Sequence, residues 1–534
     1  MIVPGSVNPL LLATGGYDVP YSLRFRASNS AYVSRTFGSP TSSSIWTFSV
    51  WVKRGLLAST RYLLGASTTT NFGFNSSDQL TLTINGVTAC TSTAVFRDPT
   101  AWMHVVYQQN GSAQTIYVNG SSVATGTTAA AVFNTAIAHQ IGAANTANYF
   151  DGHMAEVNFI DGQALTPSSF GQTDSATGVW VPKKYSGTYG TNGFYLKFAD
   201  ASAATAAAIG KDSSGNGNNW TPSGISVTSG TTFDQMLDTP TLNYAVFDAL
   251  SPVGSASSIG TLSAANMTFD HSAANYAQRF GSFAVNSGKW YFEYTITTFS
   301  SGKSCAFGIG KTESYPSGTG VPGSWTGCVA YGDFGDTYLR PITEAAGISN
   351  TSGVASMTFA VNDVIMVAFD VGAGKFWMGK NGTWFDSGNP AGGTNEKQTF
   401  TANINWRPWC VQYGSSAAQS VVNYGQRAFA YTPPTGFKAL NTANIASAAV
   451  TTSGSFTGNA AADGPFIWAN GNPATLTING NAVTFGAHAD KTAGGFKLRT
   501  SSASYNTSGT NNWTATAGNR FVQGRKPNNA QVNP

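Results

Sequence analysis

The strongest constraint on this chain is a two-residue alternation of apolar and polar side chains that recurs along its whole length. It is clear in the segments "SIWTFSVWVKRG", "KWYFEYTITTF" and "VIMVAFDV". This period places successive side chains on opposite faces of a β-strand. No amphipathic stretch of helical period runs beyond about two turns. The chain is therefore predicted to be all-β, with little helix.

Asn-Gly pairs between strand-like runs predict tight hairpins. They occur at Asn85-Gly86, Asn119-Gly120, Asn381-Gly382 and Asn479-Gly480. Both residue types tolerate positive φ, which a two-residue type I′ turn requires. Many short strands joined in this way favour tandem antiparallel β-sandwiches.

Composition narrows the classes of function. Charged residues make up 10% of the 534 residues, against ~25% in ordinary soluble domains. Ser, Thr, Asn and Gln must then supply most of the polar surface, as expected of a protein that sits in a large assembly or faces glycans. The net charge of +4 is small, so we expect no nucleic-acid partner. No segment approaches the ~20 apolar residues of a membrane span, and no export signal is visible.

Residues with reactive side chains are scattered. The four cysteines, Cys90, Cys305, Cys328 and Cys410, show no metal-binding spacing and are predicted to be buried free thiols. The five histidines form no Ser/His/Asp or metal pattern. We therefore predict that the chain is not an enzyme.

Shifts in composition divide the chain into six predicted segments. They are an N-terminal arm (1–20), a first β-sandwich (21–200), an Asx/Gly-rich linker (201–243), a second β-sandwich (244–441), a second linker (442–462), and a small C-terminal β module with a basic tail (463–534).

The first sandwich resembles a known family in the order of its motifs. The segments "WTFSVWVKRG", "AWMHVVYQQNGSAQTIYVNG" and "YFDGHMAEVNFIDGQALTPSSFG" follow one another. This order resembles the LamG-like, concanavalin-type lectin/glucanase jelly roll. The resemblance implies a sandwich that is either a plain scaffold or binds calcium or sugars at one edge.

The acidic residues in this sandwich could be a glycosidase's catalytic pair or calcium ligands. Glu156 and Asp161 lie an odd number of residues apart, so a strand puts them on opposite faces and a retaining glycosidase pair is not expected. On the same strand, Ala155, Val157 and Phe159 are predicted to face the core, and Glu156 and Asn158 the other side.

Calcium is the one cofactor that the sequence leaves open. Asp151 and Asp161 are candidate calcium ligands at the edge of the sandwich. Asp212, in "KDSSGNGNNWT", is a third. Its stretch supplies a single carboxylate, which favours an Asx-rich structural turn.

The second sandwich resembles the SPRY (B30.2) family. The segments "SGKWYFEYTITTF", "VNDVIMVAFDVGAGKFWMGKNG" and "VVNYGQRAFAYTPPTGF" follow the family order. The resemblance implies a bent β-sandwich that binds protein or other ligands through loops and performs no catalysis. Aromatic side chains suit such contacts, although half or more of them are equally explained as core. The candidate ligand-binding residues are Tyr315, Trp325, Tyr331, Tyr338 and Trp384.

The whole arrangement resembles tailed-phage virion structural proteins. The resemblance implies a fibre-like or spike adhesion subunit that is assembled in the host cytoplasm and exposed on the virion. The arm would bind other virion proteins, and the sandwiches would bind a host-surface glycan or protein. Trimerisation is expected by analogy with fibres. The alternatives are a purely structural capsid or tail decoration protein and, in third place, a secreted laminarinase-like hydrolase.

Overall fold

A computed structural model provides the coordinates. It describes residues 17–127, 133–175, 178–250, 260–272, 276–300, 304–312, 326–335, 338–348, 358–413, 418–445, 453–457, 466–470, 476–478, 481–482, 485–487, 495–498, 510–515 and 520–524. These residues form antiparallel strands with short 3-10 turns, so the predicted all-β class is confirmed. None of the described helical segments is long and apolar enough to span a membrane. Of the predicted arm, only residues 17–20 are described.

The chain divides into two compact units, Met1–Ile445 and Ala446–Pro534. The first unit contains two sandwiches. Strands of the first sandwich are β1 (Ser22–Phe25), β2 (Tyr32–Thr36), β3 (Ile45–Arg54), β4 (Arg61–Ser67), β5 (Thr70–Phe74), β6 (Leu80–Ile84), β7 (Val87–Thr91), β8 (Met103–Asn110), β9 (Ala113–Val118), β10 (Ser121–Thr127), β11 (Ala138–Ile141), β12 (Gly152–Asp161), β13 (Gly171–Thr173), β14 (Trp180–Pro182), β15 (Phe194–Leu196), β16 (Thr221–Ser223) and β17 (Gln235–Met236).

Two sheets form this sandwich. Sheet A has the order β10-β9-β8-β3-β12-β1-β17, and β15 also pairs with β12. Sheet B has the order β16-β2-β11-β4-β5-β6-β7, and β13 and β14 make a separate ribbon. The core between the sheets takes alternate side chains from each, such as Phe48 of β3 and Phe72 of β5. The other face of sheet A is here called the outer face. It packs against loop residues and against Trp180 of β14.

The second sandwich follows the same principle. Its strands are β18 (Thr261–Ser263), β19 (Thr268–His271), β20 (Tyr276–Phe280), β21 (Lys289–Phe299), β22 (Ser304–Lys311), β23 (Cys328–Asp333), β24 (Arg340–Thr343), β25 (Gly347–Ile348), β26 (Val364–Asp370), β27 (Lys375–Lys380), β28 (Thr383–Trp384), β29 (Gln398–Thr399), β30 (Trp406–Tyr413) and β31 (Ala418–Asn423). Sheet C has the order β18-β19-β31-β21-β26-β27-β28, with β29 on β27, and sheet D the order β20-β30-β22-β23-β24-β25. Phe292 of sheet C and Phe307 of sheet D meet in the shared core.

The second unit, Ala446–Pro534, contains two small antiparallel sheets. Its strands are β32 (Ser453–Thr457), β33 (Phe466–Asn470), β34 (Leu476–Ile478), β35 (Asn481–Ala482), β36 (Phe485–Ala487), β37 (Gly495–Leu498), β38 (Thr510–Ala515) and β39 (Arg520–Gly524). They pair in the orders β32-β38-β34-β35 and β36-β37-β33-β39.

The predicted hairpins and buried thiols are found where the sequence indicates them. Asn85-Gly86, Asn119-Gly120 and Asn381-Gly382 each connect two paired strands, and all six residues have positive φ. Asn479-Gly480 lies outside the described residues. The four cysteines are free and buried.

Residues 201–243, predicted as a linker, are built into the first unit. β16 extends sheet B and β17 extends sheet A. Between the sandwiches, Asp234 accepts hydrogen bonds from Arg24 and Arg26. The Asp151 carboxylate of the first sandwich accepts hydrogen bonds from the backbone N–H groups of Ala264 and Ala265 in the second sandwich. The two sandwiches are thus joined by a buried polar junction.

Candidate ligand site on the first sandwich

A β-bulge in β12 sets the position of the Glu156 side chain. Ala155 pairs with Trp51 of β3 and Asn158 pairs with Ser49, so β12 carries one extra residue between these pairs. Glu156 has a φ of 51°, in the left-handed region that non-glycine residues rarely occupy. Bulges commonly redirect a side chain near a functional site. Here the bulge holds Glu156 on the outer face of sheet A.

The bulge also changes the alternation predicted for β12. Val157 and Phe159 pack in the core between sheets A and B, as predicted. The prediction for Ala155 is wrong, because Ala155 packs with Trp51 and Val19 on the outer face. An inserted residue shifts the phase of a strand by one, which moves every side chain on one side of it to the opposite face.

Tyrosine hydroxyls surround the Glu156 carboxyl group. Tyr195 of β15 donates a hydrogen bond to Glu156 Oε1, and the Tyr17 hydroxyl donates to the same oxygen at 3.3 Å. The two hydroxyl oxygens lie 2.7 Å apart. Next to them, the Tyr189 hydroxyl donates to Asn158 Oδ1 at 3.1 Å. These five residues are called the Glu156 cluster below.

Burial raises the pKa of the Glu156 carboxyl group to about 7. Hydrogen bonds from Tyr195 and Tyr17, and then the charges of Lys197 and Lys184, lower the pKa and offset part of that effect. Glu156 is 7% exposed. A carboxyl group that titrates near neutrality can accept or donate a hydrogen bond at physiological pH. The cluster therefore offers both functions to a ligand hydroxyl group.

Partly exposed tyrosine rings border the carboxyl group. The rings of Tyr189 and Tyr195 stack with 6.5 Å between centroids and 9° between planes. Tyr185 meets Tyr189 edge-on at 5.1 Å, and the Lys197 ammonium lies 5.2 Å from the Tyr195 ring centroid. Tyr17, Tyr185 and Tyr189 each keep part of their surface in solvent. Rings with an apolar face and a polar hydroxyl suit a ligand that is itself amphipathic.

The candidate residues of the second sandwich are dispersed. Tyr315 and Trp325 lie outside the described residues. Tyr331 is 3% exposed and packs in the core between sheets C and D. Its ring therefore has no face open to a ligand, and its burial supports the alternative interpretation of a core aromatic.

Tyr338 and Trp384 are partly exposed. Tyr338 lies beside Arg340, whose guanidinium carbon is 6.0 Å from the ring centroid. Trp384 packs edge-on against Tyr291, with 6.4 Å between centroids, in the apolar cluster on the far side of sheet C from the core. Tyr331 belongs to β23 of sheet D and is buried between the two sheets, whereas Trp384 lies on the other side of sheet C, so the two do not form one surface.

The three candidate calcium ligands lie in separate places, and each accepts N–H groups. Asp151 and Asp161 are 1% and 2% exposed, and Asp212 is 6% exposed. Hydrogens directed at carboxylate oxygens occupy the lone pairs that calcium would use. No cluster of three or more His, Cys, Asp or Glu side chains among the described residues is placed to hold a metal ion. Their N–H donors are Ala27, Ala264 and Ala265 for Asp151; Thr41, Ser42, Asn134 and Asn192 for Asp161; and Tyr195, Ser214 and Asn218 for Asp212.

The sequence drew attention to Glu156 only as an acid of a glycosidase pair, which was not expected, and it did not indicate the partners of Glu156. Tyr17 precedes the first strand, and Tyr189 and Tyr195 follow the motifs of the resemblance, so nothing local connects them to β12. One signal was present in the sequence. Tyr185, Tyr189 and Tyr195 cluster within a short stretch that contains few other apolar residues, which is typical of a functional loop.

Comparison with known proteins finds a family similar to the first sandwich. Residues 27–169 match the family model of the concanavalin A-like lectin/glucanases superfamily. This part of the chain is similar to concanavalin A-like domains. The match covers about a quarter of the chain and includes Glu156 with its bulge, whereas Tyr17, Tyr189 and Tyr195 lie outside it. No curated protein matches the chain.

Several solved structures are similar to parts of the chain. The SPRY domain of human HERC1 is 16% identical over 30% of this chain and 91% of that one, with a TM-score of 0.24. A candidate carbohydrate-binding protein from Bacteroides ovatus is 15% identical over 39% and 58%, with a TM-score of 0.29. Domain 4 of the extracellular arabinanase AbnA from Geobacillus stearothermophilus, solved with arabinotriose, is 19% identical over 26% and 66%, with a TM-score of 0.21. Identities and scores this low assign no function to this chain.

Proposed function

We propose that this chain is a fibre-like adhesion subunit of a tailed-phage virion, and that its first sandwich binds a host-surface carbohydrate at the Glu156 cluster. One observation carries the binding proposal. On a sandwich that matches the lectin/glucanase superfamily, a bulge directs a buried carboxyl group toward the hydroxyl groups of the buried Tyr195 and the partly exposed Tyr17.

The chemistry of the cluster suits a sugar. A pyranose ring presents an apolar C–H face and a rim of hydroxyl groups. The rings of Tyr189 and Tyr185 supply apolar surface, and the oxygens of Glu156, Tyr17 and Asn158 exchange hydrogen bonds with hydroxyl groups. Small-molecule sites commonly combine aromatic walls with a few fixed polar groups in this way.

Binding without hydrolysis is the activity that the cluster favours. Glycoside hydrolysis ordinarily needs two carboxyl groups, one on each side of the scissile bond. The groups that hydrogen-bond to the Glu156 carboxyl are the hydroxyls of Tyr195 and Tyr17, neither of which can act as the second carboxyl group. We therefore propose a binder rather than a laminarinase-like hydrolase.

The virion role rests on the character of the whole chain. The chain has few charged residues and is rich in β-strands, and a buried junction joins its two sandwiches. These features suit a stiff, exposed component of an assembly. In this role the arm at residues 1–20 attaches the chain to the particle, and the Glu156 cluster meets the host surface.

A comparison of two tyrosine variants tests the binding site. Binding of the purified chain is measured on an array of bacterial surface polysaccharides, for the wild type, Tyr189→Ala and Tyr338→Ala. The proposal expects that the wild type binds and that Tyr338→Ala binds equally well. Tyr189→Ala should lose affinity by roughly two- to thirteenfold, because one aromatic contact contributes about 0.5–1.5 kcal/mol.

Two other results would redirect the assignment. If no polysaccharide is bound and the protein does not block phage adsorption, the chain is a purely structural component. If reducing sugar is released by the wild type and not by Glu156→Gln, the chain is a hydrolase.

Deletion of residues 1–20 tests the role of the arm. It should abolish incorporation into particles, and full incorporation contradicts the virion-docking role of the arm.

A further inference from the structure

Lys53, Asn243 and Asp238 meet in a buried triad at the junction of the two sandwiches. Lys53 Nζ lies 2.7 Å from Asn243 Oδ1 and 2.7 Å from Asp238 Oδ2. The side chains of Lys53 and Asp238 are 1% and 0% exposed. An amine, a carboxamide and a carboxyl group therefore share a site from which bulk water is excluded.

We propose that Lys53 and Asn243 join in an intramolecular isopeptide bond, with Asp238 as the group that moves the protons. The bond would connect β3 of the first sandwich to the segment that enters the second. It does not depend on the ligand that the Glu156 cluster binds.

The reaction balances without any external reagent. A proton passes from the Lys53 ammonium to Asp238 along their hydrogen bond, which leaves a neutral amine and a carboxylic acid. The amine lone pair attacks Asn243 Cγ, so the Nζ–Cγ bond forms and the Cγ–Nδ2 bond breaks. Asp238 protonates the departing nitrogen, which leaves as ammonia. The second hydrogen lost from Nζ then converts this ammonia to ammonium, and Asp238 is again a carboxylate. The products are one amide and one ammonium ion.

Position and charge both favour the first steps. Because a C=O bond is about 1.2 Å long, Nζ lies within about 4 Å of Asn243 Cγ, close to an attack distance of ~3–3.5 Å. The carboxamide is held in place, since Asn243 Nδ2 donates to the Thr100 carbonyl at 3.0 Å. Burial lowers the pKa of the Lys53 ammonium, against the effect of Asp238. The neutral amine that the attack needs is thereby favoured.

Asp238 is oriented for its role by a second set of contacts. Trp102 Nε1 donates to Asp238 Oδ1 at 2.9 Å, and the Tyr244 N–H lies 3.3 Å from the same atom. Oδ2 is thereby left facing Lys53. A carboxyl group held in this way can receive a proton and return it without moving, which is what a general acid–base residue requires.

A second set of the same residue types provides an internal contrast. Lys380, Asp363 and Asn381 are neighbours in the second sandwich, but the Lys380 side chain is 24% exposed and lies 3.4 Å from the Asp363 carboxylate. Asn381 donates its Nδ2 to Asp363 and accepts the Val364 N–H at Oδ1. This amide does not present its carbonyl group to the lysine. Lys380 and Asn381 are therefore not expected to form an isopeptide bond.

Mass spectrometry of the full chain tests the proposal. The intact mass should be lower than the sequence mass by one ammonia. After trypsin, residues 36–54, uncleaved at Lys53, should be found linked to residues 212–279, which contain Asn243. Tandem spectra distinguish this link from a succinimide at an Asn-Gly pair, because a succinimide loses ammonia within one peptide.

Variants provide matched controls. Asn243→Ala and Asp238→Ala should each restore the unmodified mass, whereas Asn381→Ala should keep the link. Asn243→Ala should also melt at a lower temperature than the wild type, since it lacks the closed loop. An unmodified intact mass for the folded wild type, or ammonia loss confined to one peptide, overturns the proposal whether or not the variants fold.

Discussion

Arg24 Nε donates a hydrogen bond to Asp234 Oδ1 at 2.9 Å, and both side chains are completely buried. Arg26 donates to both oxygens of the same carboxylate. One aspartate from the segment between the sandwiches thus forms ion pairs with two guanidinium groups of the first sandwich. Because these charges lie away from water, each depends on the others.

Replacing Asp234 should destabilise the first unit strongly. Asp234→Ala leaves the Arg24 guanidinium buried without its charged partner, and the free energy of unfolding in urea should fall by ~3–5 kcal/mol. Asp386→Asn is the control, since the Asp386 side chain is 56% exposed in its pair with Lys397, and it should cost at most ~1 kcal/mol. Similar losses in the two variants would contradict the structural role of the junction.

Stability should depend on the titration of Glu156. Its carboxyl pKa is raised from 4.5 to about 7 in the folded chain, so the folded state binds more protons than the unfolded state between these values. Stability therefore falls as pH rises through this window, by about 3 kcal/mol in total, and is constant above it.

The variant Glu156→Gln should remove this dependence. Urea unfolding across about pH 4 to 8 should show the wild type losing stability relative to the variant as pH rises. A wild-type-minus-variant difference that stays constant with pH would show that Glu156 has an ordinary pKa in the folded protein.

Removal of calcium should leave the first sandwich unchanged if its carboxylates act as they do in this structure. Asp151, Asp161 and Asp212 already accept N–H groups. The melting temperature should therefore be the same in EDTA and in excess calcium. A higher melting temperature in calcium, lost in Asp161→Asn, would instead support the calcium ligands indicated by the sequence.

The four thiols should be unreactive in the native protein. Cys305, Cys328 and Cys410 are almost completely buried, and burial raises the pKa of each thiol. Since the thiolate is the reactive form, a thiol reagent should label none of them before denaturant is added and all four afterwards. Rapid labelling of Cys90, which is 7% exposed, would indicate local opening of the first sandwich.

Local features of the sequence predicted the strands, the hairpins and the buried cysteines. A two-residue turn and a strand are decided by neighbouring residues, so Asn85-Gly86 and the alternation in β3 are sufficient evidence for them. Motif order also predicted the resemblance to concanavalin A-like domains, and residues 27–169 match that family model. These features lie within a few residues of one another or recur in a fixed order.

No local pattern in the sequence predicted the contacts between residues that are far apart in the chain. The bulge at Glu156 depends on how β12 pairs with β3, and its tyrosine partners come from both ends of the first sandwich. The stretch 201–243 looks like a linker because it is small and polar, yet Asp234 and Asp238 are buried there by strands about 200 residues earlier.

The sequence by itself determined that the chain is all-β, where its hairpins turn and which family its first sandwich resembles, because period, turn chemistry and motif order are local properties. The tertiary structure alone decided that Glu156 meets Tyr17 and Tyr195, and that Lys53 meets Asn243 and Asp238. The physical reason is that burial and close approach are set by packing between segments far apart in the chain. The reactivity proposed for these groups comes from that burial.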